Sequence, residues 1–387
     1  MTRRGRIVVL HFVAQMPLAG IAWQALHYLL ALEQLGYEVW YVEDHGANPY
    51  DPRANSVTMD CRYNLAHLRR IMEQHGLGER WSYWDAINDV WHGLPRARVE
   101  ALFAEADGLI NLCGATRLRP EHLACPVRIM IDTDPVYEQI KYARGDAGAR
   151  AYLEAHTHFF TYGENLGTTD CPIPLSGLPW RPTRPPVDPA LWPASDGTPP
   201  CFTTVATWEN KGKNIEFGGA CYHWSKHVNF LRFIDLPLHR PKTCFRLALL
   251  PPDKAVHEAL TTAGWDLVDP RPISADTADY RAFIAGSRGE FTVAKDIYTR
   301  PNSGWFSDRS VCYLASGRPV VTMRTGFGKF YPTGCGLFDY TTLDEALWAI
   351  DEIAADYARH SRAARALACE VFAADRVVAA LLAAAGL

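Results

Sequence analysis

The sequence predicts an α/β protein of two doubly wound parallel-sheet domains facing a cleft, closed by a helical tail. Three observations carry this. Apolar runs suited to buried strands alternate with amphipathic stretches in both halves. A proline-dense connector separates the halves, and 387 residues exceed one ordinary core. The expected segments are a first domain over 1–175, a linker over 176–200, a second domain over 201–356 and a tail over 357–387.

In the first half, Ile7–Val13 is a continuous apolar run of the kind a parallel sheet buries on both faces. Ile21, Ala25, Tyr28, Leu29 and Leu32 then recur at helical spacing over Ile21–Leu35, and Gly36 ends that helix. Tyr37–Glu43 closes a β-α-β unit, the mark of a doubly wound sheet. Further strands are expected at Gly108–Cys113, Val127–Asp132 and His158–Tyr162, with helices at Asn64–His75, Trp81–Trp91 and Pro95–Glu105. Prolines crowd residues 171–200 too closely for a helix or a sheet interior. The second half repeats the alternation, with strands at Phe202–Thr207, Phe245–Leu250, Trp265–Val268, Glu290–Lys295 and Pro319–Met323. Helices are expected near Asn229–Leu236, Asp253–Ala263, Thr277–Ser287, Arg309–Ala315 and Leu343–Ala355, followed by the Ala/Leu/Arg-rich tail.

Composition narrows the function. Apolar residues make up 48% and charged residues 21%, as in soluble globular proteins, and the net charge of −4 gives no global basic surface for nucleic acid or anionic lipid. The N-terminal Arg3, Arg4 and Arg6 precede an apolar run too short for a leader, so a first strand is expected there. No stretch reaches the roughly 18 apolar residues of a membrane span. The ten cysteines are scattered without a C-x-x-C pair and read as reduced core thiols of a cytoplasmic protein.

The most informative stretch is 285–325. A strand is followed by a polar loop carrying Ser303, Gly304, Ser307 and Asp308, then a short helix from Arg309, a Ser316-Gly317 break and another strand. Small hydroxylated residues before a helix present N–H groups at the positive end of its dipole, which suits a diphosphate. The same residues also suit a plain helix cap, and both readings stand at this point. Arg309 adds a charge-assisted donor for phosphate, and Asp308 an acceptor for sugar or ribose hydroxyls. Thr207, Trp208 and Lys211 follow the first strand of the second half, where doubly wound sheets bind ligands. An exposed charged turn is the alternative. Asp132 and Asp134 end a strand facing the expected cleft and suit a general base, or a turn and helix cap. His11, beside the Ala14–Gly20 loop, is a candidate base or a structural histidine. That loop lacks G-x-G-x-x-G, which argues against a dinucleotide cofactor.

Asp308-Arg309-Ser310 followed by Tyr313-Leu314-Ala315-Ser316-Gly317-Arg318-Pro319-Val320-Val321 resembles the C-terminal domain of GT-B glycosyltransferases, of the family-4-like and CgeB-like kind. The resemblance extends over the second domain and, at the level of fold, over the first. It implies two Rossmann-like domains with a nucleotide-sugar on the second and an acceptor on the first. It also implies a Lys-Gly element near Lys211 at the diphosphate. Members of that kind carry two glutamates where this chain has Gly304 and Cys312, so Asp308 or Glu290 is expected to serve the sugar hydroxyls. The activity so implied is metal-independent transfer of a sugar from a nucleotide-diphosphate-sugar, with a UDP-sugar as expected donor. The acceptor is a hydroxyl on a small molecule, a glycan or a modified nucleobase. An epimerase of the same fold and a non-catalytic binding protein remain the alternatives.

Overall fold

The computed structural model describes residues 4–194, 197–210 and 212–387. Domain one comprises β1 (Arg6–Leu10), α1 (Ala19–Gln34), β2 (Glu38–Glu43) and a small hairpin of β3 (Tyr50–Asp51) and β4 (Ser56–Val57). It continues with α2 (Arg62–Gln74), β5 (Trp81–Asp85), β6 (Val90–Gly93), α3 (Arg96–Glu105), β7 (Gly108–Leu112) and β8 (Val127–Asp132). Then follow α4 (Tyr137–Ala143), α5 (Ala147–Glu154), β9 (His158–Thr161) and β10 (Trp180–Pro182). The eight strands lie in the order β10-β9-β8-β7-β1-β2-β5-β6, parallel except for β6.

Domain two starts with β11 (Cys201–Val205), the hairpin β12 (Ile215–Phe217) and β13 (Ala220–Tyr222), α6 (His227–Phe230), α7 (Leu236–His239) and β14 (Cys244–Ala248). Next come α8 (Lys254–Thr262), β15 (Asp266–Val268), α9 (Pro270–Ala275), α10 (Thr277–Ala285), β16 (Gly289–Thr292), α11 (Asp296–Thr299) and α12 (Asp308–Ala315). It ends with β17 (Val320–Met323), β18 (Leu337–Tyr340), α13 (Leu343–Ala355), α14 (Tyr357–Val371) and α15 (Ala374–Ala385). Its sheet is wholly parallel, in the order β15-β14-β11-β16-β17-β18. In each sheet the first strand lies between strands whose connections leave in opposite directions. The carboxyl ends beside β1 and β7, and beside β11 and β16, are therefore the switch points where ligands settle.

Several local expectations are corrected. Residues 81–91 form the β5–β6 hairpin, not a helix, because Trp81 and Tyr83 point inward while the chain reverses at Asp89, whose φ is 50°. The proline-rich connector contributes β10, at the sheet edge where a missing N–H is tolerated. The expected Asn229–Leu236 helix is broken into short turns, and β18 had not been anticipated. Cys201 and Cys244 face each other on adjacent parallel strands with Cα atoms 4.4 Å apart and are disulfide-bonded, so not every thiol is free. Among the described residues no helix is long and apolar enough to cross a membrane.

The chain passes between the domains twice, and the two passes touch. Val187 N donates to Phe372 O at 2.8 Å and Ala374 N to Val187 O at 2.9 Å. Beyond that point α15 returns to pack on α1, which also meets α10 and α12, so one apolar cluster spans both domains. Two arginines fasten the connector to domain two. Arg365 donates to Trp192 O, Pro189 O and Ala315 O. Arg318, only 1% exposed and without a carboxylate partner among the described residues, donates to Ala285 O, Gly197 O and the Tyr357 hydroxyl. Its charge sits at the carboxyl end of α10, where the dipole favours a cation. Replacing it by methionine keeps the bulk but strands those acceptors. Arg318→Met is expected to cost about 2–4 kcal/mol of stability in urea denaturation.

Candidate functional site

The carboxyl edges of the two sheets meet across a cleft. Domain one brings His11 after β1, Cys113 after β7 and Asp132–Asp134 after β8; domain two brings Val205–Trp208 after β11 and Val293–Lys295 after β16. The first turn of α12 lies over the second set of edges. Arg309 Nη1 donates to Val205 O and Nη2 to Thr292 Oγ1, both at 2.9 Å.

Asp132 and Asp134 have different surroundings. Asp132 is buried at the end of β8 and accepts from Gln139 Nε2 at 2.7 Å and Thr161 Oγ1 at 3.2 Å. Burial, reinforced by the charge of Asp134, pushes its carboxyl up to about 7. Asp134 opens into the cleft, its side chain 47% exposed, and accepts from Lys295 Nζ at 2.8 Å and from the Tyr298 hydroxyl. Burial of the carboxyl would raise it, but Lys295 and Tyr298 outweigh that and hold Asp134 below the ordinary carboxylate range. Two residues on, Val136 is fully buried with φ 89°, a strained conformation for a β-branched side chain, tied by Val136 N to Gln139 Oε1 at 2.7 Å.

His11 is fully buried and stacked on Phe12, and burial pulls its imidazole down to about 3. It is neutral and out of contact with solvent, a poor general base. Its Nε2 lies 3.0 Å from Gln24 Oε1. Gln24 Nε2 in turn donates to Asp308 Oδ2 at 2.8 Å, and the Tyr162 hydroxyl donates to Asp308 Oδ1 at 3.2 Å. Burial and the nearby Asp134 raise Asp308 to about 7 against those two bonds.

The expected anion-binding loop divides into two parts. Ser303 and Gly304 are buried and used in packing. Ser303 Oγ donates to Tyr298 O, Ser303 O accepts from Asn165 N, and Gly304 N donates to Thr325 O. Gly304 has φ 83°, and a Cβ there would collide with Asn165 N. Those two residues form an interdomain contact instead of a ligand cradle. Ser307 is the N-cap of α12, its Oγ accepting from Arg309 N at 3.2 Å, and Asp308 opens the helix beside the cleft. Arg309 turns inward, with Nε 2.5 Å from Glu290 Oε1, and Glu290 is wholly buried, so Glu290 braces the arginine and does not face the cleft. Thr207 is exposed past β11, whereas Trp208 is 7% exposed and packs against His227 and Phe230. Lys211 lies outside the described residues.

Sequence reasoning missed the strongest cations. Lys226 lines a narrow recess with Thr204, Thr207, Trp208 and Thr292. Among the described residues it has no hydrogen-bond or ion-pair partner. Burial, and repulsion from Arg309 and Lys295, pull its ammonium well below the ordinary range. Lys295 sits 3.9 Å from the ring centroid of Trp224, and Lys213 sits 4.8 Å from the same centroid. Lys295 ends a predicted strand on its carboxyl side and was legible by that rule. Lys226, preceding a broken helix, gave no such signal. Among the described residues Cys61, Asp85 and His92 are the one group with three metal-ligating atoms in mutual reach. Asp85 there already accepts from Ile87 N, Asn88 N, Asn88 Nδ2 and Cys61 Sγ.

The chain matches no protein-family profile and no curated protein sequence. Its fold is similar to that of an alpha-glucosyltransferase in complex with UDP-glucose and DNA containing an abasic site, with a TM-score of 0.59 and 10% identity over 99% of this chain and 100% of that one. It is also similar to Anabaena Alr3699/HepE in complex with UDP and glucose, with a TM-score of 0.54 and 12% identity over 99% and 100% of the two chains. No comparison singles out the family-4-like or CgeB-like branch. Two Rossmann-like domains around a cleft give this chain the GT-B fold.

Asp132 and Asp308 keep their protons in the fold up to about 7, whereas an unfolded chain releases them near pH 4. The folded state therefore binds more protons within that window. Their contribution to stability is complete below it and lost as pH rises through it. Asp308→Asn removes one such group, so the thermal midpoint of the variant should rise relative to wild type between roughly pH 4 and pH 7.

Proposed function

We propose that the protein is a glycosyltransferase moving a sugar from a nucleotide-diphosphate-sugar to a hydroxyl held by domain one. The observation that carries this reading is Lys226, a half-buried amine that has no ion-pair partner among the described residues and stands beside Arg309 and Lys295 at the carboxyl edge of β11 and β16. An anion seated at that switch point would draw the depressed ammonium back to its charged form. A diphosphate would settle between Lys226 and the first turn of α12, whose dipole adds to the attraction. Side-chain cations then supply the countercharge, and the reading needs no metal. The two structural neighbours carry UDP or UDP-glucose, which supports a uridine nucleotide here.

Asp308 would accept from a sugar hydroxyl in place of the glutamate the resemblance led one to expect at 304. In an inverting displacement Asp134 takes the proton of the attacking acceptor hydroxyl. The new bond forms at the anomeric carbon as the bond to the diphosphate oxygen breaks, and the diphosphate leaves onto Lys226 and the α12 terminus. Lys295 and Tyr298 keep Asp134 ionised and ready to act as that base. Domain one holds more Asp and Glu than Lys and Arg, which favours a small molecule or glycan over nucleic acid as acceptor.

Calorimetry with UDP and a panel of nucleoside diphosphates tests the donor site. Lys226→Ala is expected to weaken binding by about 10- to 100-fold, and wild-type protein that binds no nucleoside diphosphate or nucleotide-sugar would end the proposal. Asp134→Asn is expected to keep nucleotide binding and lose roughly 10²- to 10⁴-fold in transfer rate.

A further inference from the structure

The carboxylate of Asp308 belongs to domain two, yet both side chains that bond it belong to domain one. Gln24 reaches it from α1 at 2.8 Å and Tyr162 from the turn after β9 at 3.2 Å. Gln24 is itself held from behind. Its Oε1 accepts from His11 Nε2 at 3.0 Å and from the Cys113 thiol at 2.9 Å, and Thr133 Oγ1 bonds the same sulfur at 3.1 Å. The thiol, a donor to Oε1, favours the orientation that leaves Nε2 for Asp308. Cys113 holds its sulfur there from a left-handed backbone, φ 58°, at the end of the central strand β7.

We infer that Gln24 is a positioning residue that fixes Asp308 in its working orientation when the two domains are together, with His11 and Cys113 as its backstop. This assigns His11 a structural task in place of the general-base role, and it rests on the reading of the cleft as a nucleotide-sugar site. Among the described residues domain two supplies no side-chain donor to this carboxylate. Arg309, its neighbour, is committed to Glu290, and Cys312 Sγ bonds the Asp308 carbonyl. The other groups whose charge bears on it are Tyr28, Tyr298, Asp134 and Cys113. Opening the domains would release Asp308 from both donors at once, so the sugar contact and domain closure are made by the same bonds.

The test has two arms on full-length protein, in wild type and Gln24→Met. In the first, without ligand, carbon-detected NMR of labelled aspartate follows Asp308. Losing the Gln24 donor is expected to move its titration midpoint upward by about one pH unit. In the second, calorimetry compares UDP with UDP-glucose. Affinity for UDP should stay within about twofold, while the preference for UDP-glucose over UDP falls at least about fivefold. Wild type binding neither compound would sink the glycosyltransferase reading while leaving the first arm to decide the role of Gln24. An unmoved midpoint, or an unchanged preference in a wild type that binds both, overturns the inference. Gln24→Glu keeps the side-chain length and sets a carboxylate against Asp308, so it should raise the midpoint further. If Gln24→Met does not fold, an unmoved midpoint in Gln24→Glu overturns the inference equally.

Discussion

Backbone lies directly on backbone where residues 302–305 meet residues 163–166, and the arrangement of the cleft depends on that contact. Asn165 N donates to Ser303 O at 3.0 Å, Asn165 Nδ2 to Asn302 O at 2.6 Å, and Gly304 leaves no room for a side chain. Trp305, next in sequence, donates its indole N–H to Thr133 O and stacks on Tyr298. Through these bonds the loop ahead of α12 is seated on the end of β8, and Asp308 comes within reach of Gln24 and Tyr162. A glutamate at 304 would have to displace that seam. Its absence is thus explained by packing.

The electrostatics of the cleft follow from this geometry. Lys213, Lys226, Lys295 and Arg309 gather on the domain-two side, and among the described residues Asp134 is paired with Lys295 and Glu290 with Arg309. Asp132 on the domain-one side and Asp308 on the domain-two side are held at about 7 by burial, while Asp134 stays ionised. Carboxyl groups pushed in opposite directions within one crevice can divide acid and base roles between them. The spread of charge comes from burial and pairing of these side chains and owes nothing to the nearly neutral protein as a whole.

The sequence made the doubly wound frame visible where the signal is local. β1, β8 and β17 are largely apolar runs, α1 has a helical stripe, and Asp132 and Asp134 end a strand where such sheets place ligands. The hairpin at 81–93 was hidden because Trp and Tyr suit either a buried strand or a helix face. β18 is four residues long and follows two glycines. The pairing of Cys201 with Cys244 depends on which strands become neighbours, which no cysteine spacing encodes. Gln24 and the task of Gly304 were illegible for the same reason. Their partners lie far along the chain, and hydrogen bonds across a domain interface leave no periodicity.

The touching passes at Val187 and Ala373 also constrain how the molecule can move. A single flexible tether would let the lobes slide, twist or drift apart. Two adjoining segments joined by backbone hydrogen bonds act instead as a door hinge, with its pin fixed at that bridge and the connector beyond it clamped by Arg318 and Arg365. Gaping at the Asp134 rim must then occur as rotation about that pin, with the widest travel farthest from it, so the width of the cleft is governed by an angle more than by a distance.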